Sequence, residues 1–135
     1  LSNTTTTLAY TTVNAVINGV PMYAAAGTKA LTATTHDVAI DKWASFLASI
    51  VAAGTVTITK AADVDTRQEA IGNLASIPAN SASMGYFLVR GGTAAIFDAT
   101  TNNLQTGAVT GGIVEFFGAV GAVAAVAADV QTLKK

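Results

Sequence analysis

Apolar and polar residues alternate with a period of two in several short stretches of the chain, which is the pattern of antiparallel strands with one buried face. The first stretch, VNAVINGVPMYA, is divided by Asn18-Gly19, a pair that supplies the positive φ angles of a two-residue hairpin turn. It predicts paired strands over residues 13–17 and 20–24. Pro21 cannot donate to a ladder, so the second strand is predicted at a sheet edge.

Three later stretches continue this pattern more loosely. The segment TKALTATTHDVAI mixes Thr with apolar residues and predicts one or two short strands. The segment MGYFLVRGGTAAIFDA predicts two strands around the turn residues Gly91 and Gly92. The segment TGAVTGGIVEFFGAV predicts a further strand over residues 113–117.

The stretch WASFLASIVAAGTVTITK fits two periods. A helical stripe at i, i+3, i+4, i+7 and i+8 would contain Trp43, Phe46, Leu47, Ile50 and Val51. A strand face at every second position would contain Ala44, Phe46, Ala48, Ile50 and Ala52. The segment TVTITK, directly after Gly54, is a plain alternating strand, but for the residues before it the pattern leaves helix and strand open.

One helix is predicted near residues 66–76. Thr66 and Glu69 have capping-box spacing, and Ala70, Ile71 and Leu74 share one helical face before Pro78 ends the segment. Hairpins outnumber helices, so the predicted fold class is mainly β: an antiparallel β-sandwich of short hairpins with one short helix.

The predicted organisation is an N-terminal arm over residues 1–12, a β-sandwich domain over residues 13–117 and a C-terminal Ala-rich tail or helix over residues 118–135. The two terminal segments are the expected attachment arms. No membrane span is expected, because Ser, Thr and Gly dilute the apolar run of residues 43–59. The chain starts with Leu1 in a Thr-rich segment without basic residues, which we interpret as processing or a missing start rather than a secretory signal.

Composition narrows the classes of partner. Hydrophobic residues make up 51% of the 135 positions and charged residues only 11%, with a net charge of −1. Nucleic acid is therefore not an expected partner, because phosphate backbones require a cationic surface. A surface with so little charge fits equally an Ala- and Thr-rich domain that tolerates it and a domain whose surface lies largely against other subunits.

Candidate chemistry is sparse. His36, beside Asp37, is the only histidine, and we interpret it as a hydrogen-bonded surface or turn residue rather than a catalytic base. Asp63, Asp65 and Glu69 lack the turn glycine of a calcium loop, so helix capping and a solvated first turn explain them better. No cysteine is present, and the glycines at 107, 111 and 112 lack the Lys and Ser or Thr of a phosphate loop. We expect no catalytic residue, metal site or cofactor, and no enzymatic activity.

The remaining candidates are apolar and turn residues. The following residues are predicted to lie in the core or at a subunit contact: Trp43, Phe46, Ile50, Val56, Ile58, Phe116 and Phe117. An aromatic ligand platform is the alternative role for the larger of these rings. The predicted turn residues are Asn18, Gly19, Gly54, Gly91 and Gly92.

The order of several pieces over residues 13–117 resembles small bacteriophage virion structural proteins of the head-fibre, capsid-decoration or minor structural type. The pieces are Ile17-Asn18-Gly19 followed by Tyr23, the AGTVT turn and strand, Ile77-Pro78-Ala79, Gly85-Tyr86, and Phe97 leading to Thr101-Asn102-Asn103-Leu104. None of them is a catalytic signature.

The resemblance implies a strand from Trp43 to Ile50 and a place on the capsid surface of a virion. It also implies self-association, as a homotrimer, and attachment to the major capsid protein or another virion protein. A carbohydrate-binding β-sandwich module, such as a fibre adhesin, is the alternative function, because fold class alone does not separate the two. A hydrolase is a distant third.

Overall fold

A computed structural model describes residues 2–3, 7–102, 104 and 110–117 of the chain. These residues contain nine strands and one helix. The elements are β1 (Ser2–Asn3), β2 (Thr7–Tyr10), β3 (Val13–Ile17), β4 (Val20–Ala24), β5 (Gly27–Ala30), β6 (Trp43–Val51), β7 (Val56–Lys60), α1 (Arg67–Gly72), β8 (Ser81–Arg90) and β9 (Ile113–Phe117). All strand pairs are antiparallel. The predicted fold class, an antiparallel β-sandwich with one short helix, is confirmed.

A four-stranded sheet of order β7-β6-β8-β9 forms the centre of the molecule. One of its faces, the core face, carries Ala44, Phe46 and Ala48 of β6 together with Phe87 and Val89 of β8. The same core cluster includes Leu8 of the three-stranded sheet β1-β2-β5 and five residues of the long loops: Leu31, Val38, Phe97, Ala99 and Leu104. The two sheets therefore share one hydrophobic core.

The opposite face of the central sheet, the helix face, is also buried. Ser45 and Leu47 of β6 are only 1% exposed, although they alternate with the residues of the core face. Helix α1 contacts β6 and β8, and its Ala70 is 1% exposed. A strand covered on both faces has a continuous apolar run, so β6 also shows a helical stripe.

The strand prediction for β6 is confirmed. Residues 43–51 pair with β7 and β8, and Gly54 has a φ of 89° in the connection to β7. The ladder to β8 shifts register between Ala48 and Ser49, where Met84 is the extra residue of β8. A bulge of this kind bends the strand locally and leaves the rest of the pairing intact.

Helix α1 is confirmed at its start and is shorter than predicted at its end. Thr66 is the N-cap, and its hydroxyl accepts a hydrogen bond of 3.1 Å from the Glu69 N–H. The helix ends at Gly72, with Asn73 as the C-cap, although the apolar pattern continued to Leu74. Gly and Asn both disfavour a helix interior, so the helix stops before Pro78 is reached.

The hairpin of β3 and β4 is confirmed as predicted. Asn18 and Gly19 have φ angles of 54° and 81°, and the two strands pair from Ile17 opposite Val20 to Val13 opposite Ala24. The pair forms a separate two-stranded sheet, in which each strand is an edge. Pro21 therefore occupies the edge position that its missing N–H requires.

Two sequence-based expectations are corrected. Residues 7–10, assigned to an N-terminal arm, form β2, and the side chain of Leu8 is fully buried in the core. The predicted second strand after Gly91-Gly92 is a loop that makes one isolated bridge, Phe97 to Val38. Both corrections depend on contacts between residues that are far apart in the sequence.

The C-terminal tail or helix predicted over residues 118–135 lies outside the described residues. Within the described ranges, no helix has the length and apolar character needed to cross a membrane.

Candidate interaction surface

His36 is a buried structural residue rather than a surface residue. Its side chain is hydrogen-bonded, as expected, but the residue is only 6% exposed. The Thr32 N–H donates to Nδ1 at 2.7 Å, and Nε2 lies 3.1 Å from the carbonyl oxygen of Ile58. Since Nδ1 accepts, Nε2 carries the hydrogen and donates it. Both ring nitrogens are thus used to tie the loop before β6 to β7, and neither is free to act as a base.

The carboxylates of Asp63 and Asp65 are also used in local structure. Asp63 accepts from the Ala39 N–H at 3.0 Å and pairs with Lys60. Asp65 pairs with Lys42, and the hydrogen bond that the Lys42 ammonium donates to Asp65 is the main reason why the pKa of Lys42 is raised. Among the described residues, no group of three His, Cys, Asp or Glu side chains is placed to hold a metal ion.

Four of the seven core or interface candidates are core residues. Phe46 and Ile50 of β6 are fully buried, and Val56 and Ile58 of β7 are 5% and 6% exposed. The Phe46 ring stacks on Phe87 with a centroid distance of 4.9 Å and an interplanar angle of 5°. Residues 43–60 are therefore a core hairpin.

The other three candidates are half-buried and lie in separate places. Phe116 packs against the core cluster, 5.2 Å from the Phe87 ring. Phe117 lies on the helix face, stacked on Tyr86 at 4.6 Å, with the guanidinium carbon of Arg67 5.8 Å from its centroid. Trp43 begins β6. The structure does not bring these rings together into one ligand platform.

The predicted turn residues divide into two groups. Asn18, Gly19 and Gly54 have positive φ angles and lie in hairpin connections, as predicted. Gly91 and Gly92 are buried and begin the long connection from β8 to β9, so they do not form the predicted turn between two adjacent strands. At Gly91 the requirement is space, because a Cβ there would lie 2.0 Å from the carbonyl oxygen of Ala39.

A surface that sequence reasoning did not single out lies on the β3–β4 hairpin. Among the described residues, the three most exposed large hydrophobic side chains are Tyr23, Val16 and Val20, at 67%, 65% and 62%. We define the outer hairpin face as the four exposed residues Asn14, Val16, Pro21 and Tyr23, which form two cross-strand pairs. The opposite face of the hairpin is half-buried and includes Ile17 and Met22.

The absence of charge in this hairpin was the sequence signal that could have indicated an apolar surface. A half-buried hairpin normally places polar residues on its solvent side. In VNAVINGVPMYA both alternating sets are mainly apolar, and no residue is charged. The outer hairpin face is therefore the strongest candidate for an interaction surface among the described residues.

Comparisons of the chain with protein-family models, with curated protein sequences and with solved structures find no match.

Proposed function

We propose that this chain is a bacteriophage virion structural protein, a capsid-decoration or head-fibre module that self-associates as a homotrimer. Its partner would be the major capsid protein or another protein of the capsid surface, and it would not turn over a substrate. The observation that carries the proposal is the order of the pieces from Ile17-Asn18-Gly19 to Thr101-Asn102-Asn103-Leu104, which resembles proteins of this class.

The described residues agree with a binding role in two respects. His36, Asp63 and Asp65, which sequence reasoning considered for chemistry, are engaged in backbone hydrogen bonds and ion pairs. The exposed surface instead includes an uncharged, mainly apolar hairpin face. Such a surface suits subunit contacts, and an oligomer can combine several weak attachments into a stable one.

Particle binding tests the proposal directly. Purified protein is mixed with capsids stripped of their accessory proteins and sedimented, with bovine serum albumin as a control for trapping. We expect saturable co-sedimentation at a fixed ratio to the capsid subunits, and we expect the protein in purified particles by mass spectrometry. Absence from particles, together with no saturable binding, would refute the virion role.

A carbohydrate-binding module is the second candidate, and one observation favours it. Tyr23 is exposed and lies directly opposite Asn14, so an aromatic ring and an amide are adjacent on the surface. Aromatic faces and amide groups are common features of polar ligand sites. Binding on a glycan array that is lost in Tyr23→Ala and retained in Ile77→Ala, another exposed apolar position, would favour this function.

A further inference from the structure

The outer hairpin face has the character of a buried surface, although nothing among the described residues covers it. Three of its four residues are apolar, and Val16 and Tyr23 are about two-thirds exposed, at 65% and 67%. The hairpin also forms no ladder with either larger sheet, so it stands as a two-stranded unit. Its inner face packs against the fold, where Ile17 is buried and β3 contacts β8, whereas the outer face has no such cover among the described residues.

The charge pattern indicates which partner fits this face. The first charged residue of the chain is Lys29, so the whole hairpin and everything before it is uncharged. A charged partner would lose hydration at this face without gaining an ion pair. An identical face meets the same apolar surface, and no like charges are brought together. Most soluble oligomers are symmetric assemblies of identical subunits, in which such self-contacts are common.

The area of the outer hairpin face limits how strongly copies of the chain can associate through it. One valine, a proline and a tyrosine at this exposure provide on the order of 200–300 Å² of apolar surface. A stable interface buries about 800 Å² on each partner. The hairpin can therefore form the centre of an interface with help from neighbouring surface, and association should depend on protein concentration.

We propose that the outer hairpin face is the self-association surface of this protein and packs against the same hairpin of the neighbouring copies around the axis of the proposed homotrimer. The inference rests on the self-association in the proposed function and names the residues that would carry it. Tyr23 and Val16 would be the central contacts, since large aromatic side chains dominate interface energies.

The absence of cysteine from the chain allows a direct cross-linking test. Val16→Cys introduces one thiol at the outer hairpin face, and Ile77→Cys introduces one at an exposed apolar position elsewhere. Each variant is oxidised with copper-phenanthroline at micromolar concentration and run on a non-reducing gel. We expect Val16→Cys to form a disulfide-linked pair at least about tenfold faster, because thiols held together react as an intramolecular pair.

Light scattering provides the second measurement. The wild-type protein should have a measured mass above that of the 13.5 kDa chain. Tyr23→Asp should lower the measured mass towards that of a single chain, whereas Ile77→Asp should leave it unchanged. Circular dichroism checks that each variant is folded. If Tyr23→Asp does not fold, cross-linking of Val16→Cys still tests the inference. A wild-type monomer at all concentrations would overturn the inference, as would equal cross-linking of the two cysteine variants.

Both measurements are made without capsids or glycans, so they are independent of the tests of function. Rapid cross-linking through Val16→Cys combined with no capsid binding would refute the virion role alone. Capsid or glycan binding by a protein that is monomeric at all concentrations would refute the hairpin contact and the homotrimer, and would leave the binding role standing.

Discussion

Replacing Phe46 with alanine removes the most central large side chain of the core hairpin. Phe46 is fully buried, stacks on Phe87 at 4.9 Å and lies 6.0 Å from the His36 ring. Truncating a buried phenylalanine costs about 3–5 kcal/mol, and an aromatic pair contributes about 0.5–1.5 kcal/mol beyond its buried area. We expect Phe46→Ala to lower the free energy of unfolding by about 4 kcal/mol. This is a large part of the ~5–15 kcal/mol typical of a domain.

Urea denaturation followed by the fluorescence of Trp43, the only tryptophan, measures this loss. With a slope of about 2 kcal/mol per molar urea, the midpoint should fall by about 2 M. Phe117→Ala is the matched control, because Phe117 also stacks on a ring but is only half-buried. We expect it to cost less than about 2 kcal/mol, since less area leaves water. A loss below about 1 kcal/mol for Phe46→Ala, or equal losses for both variants, would refute the reasoning from burial.

Three further predictions concern single side chains. Gly91→Ala should lower the free energy of unfolding in urea by about 2 kcal/mol or more, because the new Cβ would lie 2.0 Å from a backbone carbonyl oxygen. Gly72→Ala is the control and should not destabilise the protein, because the space around a Cβ at Gly72 is open. His36→Ala should cost about 2–4 kcal/mol because two backbone groups lose a partner, and His36→Asn should recover part of the loss by restoring an acceptor. Hydrogen bonds from the Thr100 N–H and hydroxyl lower the pKa of Asp98 in the folded protein. The ionised Asp98 carboxylate therefore stabilises the fold above its unfolded pKa of about 3.9, and this stabilisation is lost as the pH falls through the lower pKa of the folded state. The difference in free energy of unfolding between wild type and Asp98→Asn should therefore shrink as the pH is lowered in acid denaturation experiments. A difference that does not change with pH would contradict this prediction.

Elements defined by neighbouring residues could be predicted from the sequence. Asn18-Gly19 formed its hairpin turn, and Thr66 with Glu69 marked the start of α1. Residues 56–60 formed the strand that their alternation predicted. In each case the determining interaction lies within a few residues, so turn geometry and capping chemistry decide the outcome locally.

The candidate surface could be predicted only in part. The absence of charge over residues 13–24 was visible, but alternation alone did not show which face of the hairpin would be exposed. That depends on where the rest of the chain packs, which leaves Ile17 buried and Val16 exposed. The apolar character of the hairpin was thus a property of the sequence, whereas the location of its exposed face was decided by the fold.

The sequence by itself determined the fold class, the β3–β4 hairpin, strand β7 and the start of the helix, because their patterns repeat over short distances. Tertiary structure decided the properties that depend on distant partners. Strand β6 is buried on both faces because a second sheet and α1 cover it, and Leu8 joins the core because β2 pairs with β5. Gly91 is required because the loop at Ala39 passes within contact distance of it. These contacts join residues far apart in the chain, and their geometry exists only once the sheets have assembled.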